Sequence, residues 1–141
     1  MARPGPGMPH GIYKLSDGTW ILYRREGGPL KPGEAGDGTY IIYFYNIRCP
    51  ACRMFSPQWS IFAETMAPKL GENIHLFVVL CDWFSRDCDS PAAAETFNTL
   101  DIDSSPTVVI MKVEGGKVID SITLPGYRRA EELFKIAKRY T

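Results

Sequence analysis

The sequence lacks any apolar run near the roughly 18 residues that a membrane-spanning helix needs, so no transmembrane segment is expected. It also lacks a charge imbalance: 16 basic and 16 acidic side chains cancel. No basic block interleaves with aromatics, which argues against nucleic acid or an anionic membrane surface as partner. Histidine is scarce. His10 falls in a segment expected to be mobile and His75 in a strand pattern, so neither has partners in view. Asparagine and glutamine total four, Asn46, Gln58, Asn73 and Asn98, a scarcity that fits a heat-adapted source, whose cytosol would keep disulfides. No internal repeat is visible. Met1 to Pro9 lack the apolar core of a secretory signal, and residues 1–11 are expected to be a disordered tail of a cytoplasmic protein.

What is present is enough for one domain: 141 residues bury a real core but are too few for two comfortable ones. Its organising stretch runs from Tyr40 to Met66. Tyr40-Ile41-Ile42-Tyr43-Phe44-Tyr45-Asn46 is a run of strand formers that feeds Cys49-Pro50-Ala51-Cys52 and then an apolar pattern of helical spacing. The first N–H groups of a helix lack partners and carry a partial positive charge, so a thiolate at Cys49 would be stabilised there. In Cys-x-x-Cys motifs the first thiol falls from about 8.5 to between about 3.5 and 7.5. Two intervening residues suit one helical turn, which sets Cys52 beneath Cys49, and Pro50 fits the first helical position, where its missing N–H costs nothing.

Along the chain, Ile12–Ser16 and Thr19–Tyr23 flank Asp17-Gly18, a pair suited to a type I′ hairpin turn. Glu26 to Gly38 reads as a surface loop, so residues 12–38 are expected to form a hairpin and loop packed on a domain over 39–141. After Cys52, the residues Phe55, Trp59, Phe62 and Met66 share one helical face, the ordinary signature of packing. Pro57 should kink this helix, which should end near Ala67-Pro68. Ile74–Cys81 is nearly continuous in apolar residues, as in a parallel strand covered on both faces. Ser90-Pro91 offers a cap and first turn for a helix over Ala92–Leu100, with Ala93, Phe97 and Leu100 inward. Thr107–Met111 and Val118–Ile122 read as a hairpin around Gly115-Gly116. A final helix carries Ala130, Leu133, Phe134, Ala137 and Tyr140 on one side, with Glu131 and Lys135 expected to pair outside. The fold class is therefore α/β: a mixed β-sheet flanked by helices, with an N-terminal β-hairpin extension.

From Ile41 to Tyr140 the chain resembles thioredoxins. The resemblance rests on Cys49-Pro50-Ala51-Cys52 near a βαβ pattern, on Pro57 five residues beyond the second cysteine, on Ser105-Pro106-Thr107 before a strand, and on Gly126 between the last strand and last helix. It implies a thioredoxin-like fold and a thiol–disulfide oxidoreductase that needs no cofactor or metal. Cys49 would attack a partner disulfide and Cys52 would resolve the mixed disulfide. Ser105 and a cis Pro106 would hold the partner chain, and Pro50 and Ala51 would support the pair. The implied partners are protein disulfide substrates and a thioredoxin-reductase-like electron donor, with the protein acting as a monomer.

Three departures from the family stand out. Tyr43 occupies the place of a buried aspartate, which leaves the resolving thiol without its usual proton acceptor. Asp82, at the end of a neighbouring strand, is a candidate replacement, with backbone capping as the alternative. Arg48 stands where the family has tryptophan, and its cation is expected to stabilise the Cys49 thiolate and make the pair more oxidising. The N-terminal region reads as hairpin and loop in place of a strand and helix.

Cys81 and Cys88 bracket a short loop after a core strand. A structural disulfide, a second redox pair and free thiols are all open, with the disulfide the working expectation. Zinc on all four sulfurs fits poorly, because the gap between Cys81 and Cys88 is longer than a zinc knuckle. Trp83 is a candidate for the partner groove, with loop packing the alternative. Within the enzyme reading a reductase, an oxidase and an isomerase share the same residues, and a non-catalytic binding module of this fold is the rival class.

Overall fold

In a computed structural model, which describes residues 2–141, six strands form one mixed sheet in the order β2-β1-β4-β3-β5-β6. The strands are β1 (Gly11–Ser16), β2 (Thr19–Arg24), β3 (Gly38–Asn46), β4 (Ile74–Cys81), β5 (Thr107–Glu114) and β6 (Lys117–Pro125). Only β3 and β4 run parallel, and every other neighbouring pair is antiparallel. The helices are α1 (Pro50–Ile61), α2 (Pro91–Thr99) and α3 (Ala130–Lys138). Among the described residues no helix is long and apolar enough to cross a membrane.

β3 is central, and its side chains alternate between two cores because successive residues of a strand point to opposite faces. Ile41, Tyr43 and Tyr45 join Phe55 and Trp59 of α1 and Leu133 and Ile136 of α3. Tyr40, Ile42 and Phe44 join Ala92, Ala93 and Phe97 of α2 on the other face. With apolar cover on both sides, the strand carries no polar residue between Tyr40 and Tyr45.

The N-terminal hairpin is more than an extension packed on the domain. β1 pairs antiparallel with β4, so the hairpin continues the sheet and covers the β4 edge, whose N–H and C=O groups would otherwise stand open. The turn is the expected one, with Asp17 and Gly18 both at positive φ, 49° and 77°.

The disordered tail expected over residues 1–11 makes defined contacts instead over residues 2–10, and Gly11 opens β1; Met1 lies outside the described residues. Arg3 makes a two-pronged ion pair with Glu64, both bonds 2.8 Å. Gly5 is buried and Met8 packs on the α1 core. Pro9 accepts a 2.6 Å hydrogen bond from the Tyr13 hydroxyl. A segment poor in local signals is held by partners far away in sequence.

Other differences are local. α1 passes into a π-turn at Phe62–Met66 and a 3₁₀ turn at Ala67–Leu70, so helical winding runs past the expected end at Ala67-Pro68, which instead opens the 3₁₀ turn. α2 starts as read, with the Ser90 hydroxyl accepting from the Ala93 N–H at 3.1 Å. Met66, Leu100 and Phe134 are half-buried, and Ile136 supplies burial not foreseen. Glu131 pairs with Arg129 at 3.6 Å and not with Lys135.

Candidate functional site

The parallel register sets Asn46 opposite Cys81, so β3 and β4 end side by side. Their pairing continues into the turns that follow: the Ile47 N–H donates to Cys81 O at 2.9 Å and the Arg48 N–H to Asp82 O at 3.2 Å. Asn46, fully buried, binds both turns. Its carbonyl accepts from the Cys49 N–H at 3.0 Å and its side-chain oxygen from the Phe84 N–H at 2.7 Å. The chain therefore enters α1 from a rigid corner.

Cys49 is the cap of that helix. Its backbone is extended and its sulfur accepts from the Cys52 N–H at 3.3 Å, while Pro50 fills the first helical position. The sulfur thus occupies the place of a capping oxygen, where orphan N–H groups favour an anion. Cys49 keeps 6% of its surface exposed and Cys52 none, so of the two sulfur-bearing residues Cys49 is the one that solvent reaches.

The loop before β5 closes the site from the other side. Ser105-Pro106 is a cis peptide. The Ser105 carbonyl lies 3.6 Å from Cys49 Sγ, and the Ser105 hydroxyl lies 2.7 Å from Cys52 Sγ. The Pro106 carbonyl accepts from the Gly126 N–H at 2.7 Å, which ties this loop to the segment carrying the exposed Tyr127.

These contacts split the two thiols. Burial works hardest on Cys49 and would raise it, but Ser105, the Cys52 N–H and thiol, and the Ala51 N–H together hold it below the ordinary cysteine range. Burial pushes Cys52 up to about 12, with the neighbouring Cys49 adding to the rise and Ser105 and the Asn46 backbone opposing it. The same corner thus lowers one thiol and raises its neighbour.

No family model matches the chain, and no curated protein matches it in sequence. Solved structures do. A thioredoxin from Aeropyrum pernix superposes with a TM-score of 0.60 at 18% identity, covering 96% of this chain and 98% of that one. Thioredoxin-2 of the malaria parasite, described as a component of its protein secretion machinery, gives 0.55 at 17%, covering 84% and 99%. The Malassezia sympodialis thioredoxin gives 0.51 at 20%, covering 77% and 80%. The chain has the thioredoxin fold.

Within the thioredoxin fold of this chain, two residues named from the sequence stand elsewhere than expected. Arg48 is ion-paired across the β4 turn: its guanidinium lies 3.1 Å from an Asp87 oxygen and 3.7 Å from one of Asp82. Asp82 does not attend Cys52. Its carboxylate faces His10 Nε2 at 3.3 Å as well as Arg48, and it hydrogen-bonds neither cysteine. His10, thought to be without partners, also accepts from the Asp89 N–H at 2.8 Å through Nδ1.

This cluster braces the loop between Cys81 and Cys88, which are joined by a disulfide. Cys49 and Cys52 are free. Trp83 stands on the braced loop, 38% exposed and edge-on to Phe84. Among the described residues no three His, Cys, Asp or Glu side chains converge as a metal site would need.

The contacts of two residues were not read from the sequence. The Tyr43 hydroxyl donates to the Cys52 carbonyl at 3.1 Å and shares a 3.0 Å hydrogen bond with Ser56. The Ser105 hydroxyl reaches Cys52, whereas the resemblance pointed only to the backbone of Ser105. The signal for Tyr43 was its place in the aspartate position; for Ser105 it was a hydroxyl beside the motif's proline.

Proposed function

We propose that this chain is a thiol–disulfide oxidoreductase that acts on protein disulfides. The observation that carries the reading is the division of labour at the start of α1: a partly exposed Cys49 held low, and a sealed Cys52 held high. In the reducing direction the Cys49 thiolate attacks one sulfur of a partner disulfide. A Cys49–partner bond forms, and the other partner sulfur leaves as a thiolate that takes a proton from water. Cys52 then loses its proton and attacks Cys49, the internal disulfide forms, and the second partner sulfur leaves and is protonated. The partner gains two electrons and the cysteine pair loses them. A thioredoxin-reductase-like dithiol donor would return them.

Trp83, on the loop beside the β3 corner, and Tyr127, on the segment tied to Pro106, are exposed and would offer apolar surface to an extended partner chain lying along the backbone of Ser105 and Pro106. The Arg48 cation, on which the expectation of an unusually oxidising pair rested, is shared with Asp82 and Asp87, which weakens that expectation. The reductase direction is therefore the reading favoured here over oxidase or isomerase.

Insulin reduction by dithiothreitol tests this. The wild-type protein should accelerate the appearance of turbidity and Cys49→Ser should not. Equal curves for the two would contradict the reading and favour a binding module of the same fold.

A further inference from the structure

The resolving step described above needs Cys52 to become a thiolate inside the protein, and burial resists this. The usual expectation for such a thiol is a nearby carboxylate, and neither candidate position supplies one. Position 43 holds tyrosine, whose hydroxyl is committed to the Cys52 carbonyl and Ser56 and not to the sulfur. Asp82 is committed to His10 and Arg48. Among the described residues, the one side-chain oxygen hydrogen-bonded to Cys52 Sγ is Ser105 Oγ, at 2.7 Å.

Ser105 is half-buried whereas Cys52 is sealed, and the serine hydroxyl touches the sealed sulfur. A hydroxyl both donates and accepts, so it can receive from a thiol and turn to donate to a thiolate. Hydrogen bonds to an ionised partner are about twice as strong as neutral ones.

Resting on the oxidoreductase reading, we propose that Ser105 acts in the resolving step: its hydroxyl donates a hydrogen bond to the Cys52 sulfur as that sulfur gives up its proton and displaces the partner from Cys49. The Cys52 proton leaves toward solvent past the serine. The Cys49–Cys52 bond forms, the Cys49–partner bond breaks, and the departing partner thiolate takes a proton from water. The serine is unchanged at the end. Its presence also opposes the rise that burial imposes on Cys52.

The test uses the reduced protein and glutathione disulfide in single turnover, quenched in acid and read by intact mass. Attack by Cys49 adds one glutathione, and attack by Cys52 removes it. The pH is set above the Cys49 inflection, so that any effect of Ser105 on the first thiol is saturated. Whatever its rate of forming the adduct, Ser105→Ala should lose it more slowly than wild type, on the order of tenfold for one hydrogen bond to a charged atom. Its resolution profile should shift to higher pH, and Ser105→Thr should restore both rate and profile.

Resolution by Ser105→Ala at the wild-type rate with the wild-type pH profile would overturn the role of the hydroxyl. So would a threonine variant as slow as the alanine one, since that is the mark of packing. Failure of wild type and Cys52→Ser alike to form any glutathione adduct would instead overturn the oxidoreductase reading itself, and this inference with it.

Discussion

At the scale of single residues, the chemistry comes from neighbours that hold their partners and not from formal charge nearby. Arg48 adjoins the nucleophile in sequence, yet both its close anions, Asp82 and Asp87, lie across the β4 turn. An exposed cation so paired adds little at a third site. Arg48→Ala should therefore leave the pH inflection of Cys49 alkylation where it is in wild type, below the ordinary cysteine value of about 8.5. Because the thiolate is the reactive form, the rate rises with pH through that inflection and then levels. An upward move in the Arg48→Ala protein would show that the cation does reach the sulfur. The motif residues Cys49, Pro50 and Cys52 were legible in the sequence because helix capping is local chemistry. The fates of Arg48, Asp82 and His10 were not, because each is decided by a partner many positions away.

At the scale of elements, the site exists because β3 and β4 end in register and α1 starts at once. Alternation along β3 and the cap at Cys49 could be read directly. The π-turn at Phe62–Met66 could not, since an apolar stripe at offsets of three and four does not distinguish one helical winding from another. Register at the far end of β3 depends on Gly38, at φ 132°. A Cβ there would strike the Asn73 carbonyl, which accepts the Thr39 N–H at 2.9 Å. Gly38→Ala should cost about 3 kcal/mol or more, from overpacking combined with a backbone conformation that alanine adopts poorly. Chemical denaturation measures it; an unchanged midpoint would show that the strand start can shift freely. This glycine was visible in the sequence only as one of many in a loop, because its special role comes from the strand beside it.

At the scale of the whole molecule, the contacts that divide the two thiols come from three separate parts of the fold: the β3 corner, the first turn of α1 and the loop before β5. The mixed sheet and helical layers were legible from periodicity and element order. The attachment of residues 2–10 and the place of the hairpin within the sheet were not, because both rest on long-range pairing that leaves no local pattern. Since the fold creates the asymmetry, unfolding should erase it. The decisive measurement is alkylation of the reduced protein across pH, with each cysteine quantified by peptide mass, in native buffer and in denaturant. Native Cys49 should react with an inflection below its own in denaturant, while native Cys52, raised to about 12, lags far behind it, and in denaturant the two should titrate alike. Native thiols that react at equal rates, or Cys52 reacting first, would contradict the account.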